Sequence, residues 1–247
     1  MEQELVLDKK FDCPICMKEF NSKQVKTGRA RFLGTDEDLR PKYSGVDTIK
    51  YDVLFCPHCG YAAVSREFNN VTSMQRQVIR EGIANKFKGV SHDDDTYSYE
   101  DAIYRYKMAL LTAMVKPAKL SEASYIALKL SWLYRGAKEE IENSEKHNAK
   151  LLKAYIMGEK HYCEEAYKGL AKAVQTEYPP ICGMDEGTVN YLMSVLAYYN
   201  GDYDDAQRYA YMVIGSRTVT SKLKQRQRDF VEKIKAAKND TELLHEK

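Results

Sequence analysis

The chain has 247 residues, 44% hydrophobic and 30% charged, the composition of an ordinary globular protein. Its formal net charge of +2 is too small to imply nucleic-acid binding by itself, and no stretch approaches the roughly 20 apolar residues of a membrane span. Nineteen tyrosines against seven phenylalanines and one tryptophan favour thin, layered packing, in which the ring is buried and the hydroxyl reaches water.

The first dozen residues lack a basic end followed by an apolar run, so no signal peptide is expected and the cytoplasm is the expected location. In that reducing compartment paired cysteines are metal ligands more often than disulfides. Two such pairs occur, Cys13-Pro14-Ile15-Cys16 and Cys56-Pro57-His58-Cys59-Gly60-Tyr61. Two residues between cysteines let both sulfurs reach one ion, and Gly60 allows the positive φ of a tight turn. Together the pairs supply four thiolates, which complete a closed tetrahedral zinc site with no position left for water. One structural Zn2+ held by Cys13, Cys16, Cys56 and Cys59 is therefore expected, in preference to a redox dithiol or ordinary buried cysteines. The 39 residues between the pairs exceed the usual span of a compact module, but the extra loop closure costs only about 0.5–1 kcal/mol. Strands are predicted over Val25 to Leu33 and Ile49 to Phe55, each beside a cysteine pair. His58 reads as an exposed spacer, and the single cysteines Cys163 and Cys182 as packing residues.

From about Asn70 the pattern becomes helical. Val78, Ile79, Ile83 and Phe87 recur at helical spacing. A polar loop containing His92-Asp93-Asp94-Asp95 follows, read as solvated or capping rather than as a cation site. Further helices are predicted near Ser98 to Val115, Leu120 to Arg135, Glu145 to Thr176, Asp185 to Tyr199, Tyr203 to Ile214 and Val219 to Lys238. The last buries Leu223, Phe230, Val231 and Ile234 and shows a lysine- and arginine-rich outer face. Trp132 reads as core. Three segments place a small residue, Ala102, Ala166 and Ala206, where a second helix can approach, with apolar residues four and seven positions on. Here the sequence resembles tetratricopeptide repeats, best over Leu196 to Ile214. The alanines fall 64 and 40 residues apart, so the repeats are degenerate.

C-P-I-C-M-K-E-F at Cys13 to Phe20, the stretch Leu39 to Gly45, F-C-P-H-C-G-Y-A-A at Phe55 to Ala63, and L-S-W-L-Y-R at Leu130 to Arg135 resemble the bacterial family named domain of unknown function 2225. The resemblance covers nearly the whole chain. It implies an N-terminal zinc ribbon with a helical, repeat-like domain, transfers the four cysteines as ligands, and transfers no catalytic residue. The expected fold is mainly α, a tetratricopeptide-like helical hairpin array with a small N-terminal β zinc ribbon, divided into residues 1–69 and 70–247.

No phosphate loop, nucleophile elbow or histidine-glutamate metal helix appears, and Glu159 with His161 is a weak signal, so the chain reads as a non-enzyme. The functional expectation is a zinc-binding interaction scaffold whose partner is another protein or peptide, with no membrane involved. The alternative is nucleic-acid binding through Lys23, Lys26, Arg29, Arg31, Arg40 and Lys42, a stripe diluted by Asp36, Glu37, Asp38, Asp47 and Asp52.

Overall fold

Two hairpins of nearly identical construction carry the cysteine pairs. The computed structural model describes residues 2–90, 95–144 and 148–245, with side chains as far as Asp240. After one helical turn, α1 (Glu2–Leu5), strands β1 (Val6–Asp12) and β2 (Glu19–Val25) pair antiparallel, with Asp12 opposite Glu19 at the end that holds the first knuckle. The second hairpin, β3 (Phe32–Thr35) with β4 (Pro41–Tyr43), carries no cysteine. The third, β5 (Val53–Phe55) with β6 (Ala62–Val64), places Phe55 opposite Ala62 and holds the second knuckle.

The predicted strand Val25 to Leu33 is mostly a turn: only Val25, the end of β2, and Phe32 and Leu33, the start of β3, are strand, because Gly28 takes φ 74° and Arg29 N bonds Lys26 O between them. The predicted strand from Ile49 begins only at Val53. Asp47 accepts a hydrogen bond from the Ile49 amide at 3.1 Å, and this cap winds Thr48–Tyr51 into a 3-10 turn.

The rest is helical: α2 (Ser73–Ile79), running into a π turn at Arg80–Ala84, α3 (Tyr99–Val115), α4 (Leu120–Glu142), α5 (Ala149–Thr176), α6 (Glu186–Tyr199), α7 (Tyr203–Gly215) and α8 (Ser221–His245). The molecule is thus mainly α-helical with small two-stranded sheets. Thr72 with Gln75 and Ser98 with Asp101 form capping boxes that start α2 and α3. Helix α4 passes the predicted end at Arg135, because Gly136 is a contact point and not a stop: a Cβ there would lie 2.5 Å from the Tyr99 ring.

Two compact units result. The first comprises Met1–Asp36, Arg40–Ala118 and Ile126–Tyr162; the second comprises Glu37–Leu39, Lys119–Tyr125 and Cys163–Lys247. In the first, Cys13, Ile15, Phe20, Leu54, Tyr61, Phe68, Ile79 and Ile83 share one apolar cluster, so the cysteine site lies within a core. Trp132 is buried as expected. In the second, α6, α7 and α8 enclose Tyr191, Val195, Ala206, Ala210, Val213, Phe230 and Ile234. Ala102, Ala166 and Ala206 are all fully buried, as their spacing requires. Among the described residues no helix is long and apolar enough to cross a membrane.

Candidate metal centre

Both knuckles fold by the same hydrogen bonds. Cys13 N donates to Lys18 O at 3.1 Å and Met17 N to Cys13 O at 2.9 Å; Cys56 N donates to Tyr61 O at 2.8 Å and Gly60 N to Cys56 O at 2.9 Å. The residue four places after the first cysteine is left-handed in each, Met17 at φ 61° and Gly60 at φ 75°. Glycine adopts that conformation freely and methionine does not. At Gly60 space also matters, since a Cβ would stand 2.6 Å from the Phe87 ring.

The turns bring the four sulfurs together. Cys13 and Cys59 Sγ are 3.6 Å apart, Cys16 and Cys56 Sγ are 3.7 Å apart, and all four lie within 4.8 Å of one another. A disulfide sulfur pair is about 2.05 Å apart, whereas a tetrahedron with metal–sulfur bonds of about 2.3 Å has edges of about 3.8 Å. The spacing fits four ligands around one ion. Backbone amides support the sulfurs: those of Cys16 and Ile15 act on Cys13, those of His58 and Cys59 on Cys56, and that of Tyr61 on Cys59.

Without a cation the sulfurs cannot all carry charge. Hydrogen bonds from Cys13 and Cys59 push the Cys56 thiol down to about 2. The bond to Cys56, aided by burial, pushes Cys13 up to about 12. Contacts with Cys13 and Cys56, again with burial, drive Cys59 far above the ordinary thiol range. A divalent cation would take the place of those protons, and a closed tetrahedral sulfur set suits zinc or iron.

The surroundings of the sulfurs are largely apolar. Cys13, Cys56 and Cys59 are buried and Cys16 half-buried. Phe20 packs on Phe11 and Phe68, and Tyr61 donates from its hydroxyl to Phe68 O at 2.8 Å. Arg80 Nε reaches from the end of α2 to Ile15 O at 3.0 Å and ties down the first knuckle. His58 is exposed, as expected of a spacer, and its Nε2 lies 3.1 Å from Glu19 O.

Among the described residues these four cysteines are the one group of His, Cys, Asp and Glu with ligand spacing. Cys163 is buried on α5 and Cys182 lies in the loop before α6, its Sγ 3.2 Å from Ser121 O. His92, Asp93 and Asp94 fall outside the described residues, while Asp95 accepts from Gln3 at 2.9 Å. Glu159 is not joined to His161. Its carboxylate takes Arg135 Nε and Lys138 Nζ, each at 2.7 Å.

Comparison with known proteins adds a family and a distant relative. The family described as "Uncharacterized protein conserved in bacteria (DUF2225)" matches residues 6–234. A protein of Borreliella burgdorferi, described as "Uncharacterized protein", is 23% identical over 246 residues, covering 87% of this chain and 85% of its own length. No solved structure matches.

Proposed function

This chain belongs to the DUF2225 family, and from that premise we propose that it is a zinc-stabilised scaffold for protein interaction. Cys13, Cys16, Cys56 and Cys59 hold one structural zinc ion. The observation that carries this reading is the closed sulfur tetrahedron, with edges of 3.6 and 3.7 Å, inside an apolar core. A catalytic zinc keeps a coordination position for water, and this donor set is complete without one.

Recognition falls to the helices. The burial of Ala102, Ala166 and Ala206 supports tetratricopeptide-like packing. Tyr178, Tyr211 and Met212 stand exposed on the second unit, and tyrosine and methionine are enriched where proteins meet. Nucleic-acid binding has less behind it. Lys23 pairs with Asp8, Lys42 with Asp36, and Arg40 with Asp47 and Glu139, while Lys26 Nζ donates to Glu4 O. Arg29 and Arg31 are the exposed remainder of that stripe.

The test is elemental analysis of untagged protein beside a Cys13→Ser, Cys56→Ser variant, with affinity capture of partners on the same samples. One zinc per chain, lost in the variant, is the expected result. Partners kept by the variant and lost on changing Tyr178 and Met212 place recognition on the second unit. Wild-type protein without zinc overturns the metal assignment.

A further inference from the structure

A cavity of about 470 Å³ lies in the second unit, lined by the end of α5, the loop that follows it, α6 and α7. Its size is that of a ligand pocket. Val174, Ile181, Val189 and Met212 give it aliphatic walls.

Asn190 on α6 also lines it, is 6% exposed, and its carboxamide bonds to no described residue. Its carboxamide atoms are not among the enclosed polar atoms that lack a partner, so they reach the space of the cavity and are open to a ligand. The charged neighbours are already engaged. Glu177 takes the Ser121 amide at 3.0 Å and hydroxyl at 2.6 Å. Arg208 is held by Asp205 at 2.8–2.9 Å and lies over the Tyr209 ring. Glu186, beside them on the lining, is acidic, so the cavity offers no net field that selects an anion. Asn190 sets a neutral carboxamide, an acceptor and two donors in one plane, beside those aliphatic side chains on a wall that also carries Gln175, Tyr178 and Tyr209.

A backbone peptide group presents the complementary acceptor and donor, and an aliphatic side chain next to it fits the walls. We propose that this cavity binds a peptide segment, one peptide group on Asn190 and an aliphatic side chain among Val174, Ile181, Val189 and Met212. The proposal rests on the interaction-scaffold reading and names the place and chemistry of recognition.

N-acetyl-leucine-N-methylamide, titrated into the full metal-loaded chain, is the probe, followed by the NMR signals of the Asn190 side-chain amide and the Met212 methyl. Saturable shifts at both groups are expected, with weaker binding of the glycine analogue. Asn190→Leu should weaken binding about tenfold, since it removes the acceptor and donors that meet the peptide group. Met212→Ala, at a half-exposed wall, should weaken binding without unfolding. Absent shifts, unchanged affinity in Asn190→Leu, or equal affinity for acetamide each overturn the proposal. Partners still captured by Asn190→Leu protein after such a failure leave the scaffold reading standing and remove only this cavity from it.

Discussion

Replacing Gly60 by alanine adds one methyl group to the turn that presents Cys56 and Cys59, and Gly28 provides a matched control. Both glycines are left-handed, at φ 75° and φ 74°. Forcing a Cβ into that region costs about 1–2 kcal/mol at either position. The surroundings differ. Nothing lies within 4 Å of a Cβ on Gly28, whereas one on Gly60 meets Phe87 Cδ2 at 2.6 Å, Phe87 Cγ at 2.7 Å and Met108 Cε at 3.2 Å. Phe87 itself packs edge-on against Phe55, whose ring centre is 5.9 Å away, so it cannot yield without disturbing β5. Overpacking of this kind adds roughly 1–3 kcal/mol. Thermal unfolding of metal-loaded protein is the assay, at roughly 2–4 °C per kcal/mol for a chain of this size. Gly28→Ala should lower the midpoint by about 2–8 °C and Gly60→Ala by about 4–20 °C, the alanine at 60 also releasing zinc more readily to a chromophoric chelator. Equal losses for the two variants would falsify the packing argument and leave backbone strain alone.

Met17 is the converse case. It is left-handed and 72% exposed, so Met17→Gly should raise stability by about 1 kcal/mol in chemical denaturation; a loss would mean that its side chain packs usefully. Metal uptake should acidify unbuffered solution. Cys13 and Cys59 sit above the ordinary thiol range without metal, so zinc displaces about two protons or more at neutral pH. Apparent affinity should therefore rise with pH, and calorimetry in buffers of different ionisation enthalpy will count the protons. Zero release contradicts the assigned proton positions. For Glu159, burial opposes the charge, but bonds from Lys138 and Arg135 outweigh it and hold the carboxyl below the usual range. Its stabilisation is present above the unfolded-state pKa and is lost as pH falls through the lower folded value. Glu159→Gln should lower stability at pH 7 by about 1–3 kcal/mol and flatten the acid limb; an unchanged limb rules this carboxylate out as its source.

The gathering of the four cysteines was legible because two pairs at that spacing can point their sulfurs at one place, and the buried alanines because a helix repeats its facing positions every three or four residues. The hairpins that hold the cysteines were not. Along β1 only Val6 is buried and Phe11 half-buried, so no alternation marks it. β6 is the opposite, three residues all buried, and a run that short carries no period. The predicted strand at Ile49 failed because one side chain, Asp47, bonds a backbone amide two residues on and outweighs an alternating pattern. Arg80 could not be read at all. Its acceptor is the carbonyl of Ile15, 65 residues away, and nothing in a helical arginine points to it. Asn190 was passed over for a similar reason, since only the folded chain shows that nothing bonds it.

The two knuckles lie at opposite ends of a long insert, and an ion held between them would work as a reversible cross-link. Tying residues 13 and 56 together removes loop freedom worth about 4 kcal/mol from the unfolded chain, and the tie lasts only while metal is bound. Chelation would open the insert, with its turn at Lys26 to Ala30 and the β3–β4 hairpin, to proteases. The lifetime of the chain in a cell would then follow the supply of that metal, and limited digestion with and without chelator would display that dependence as a change in the first cut.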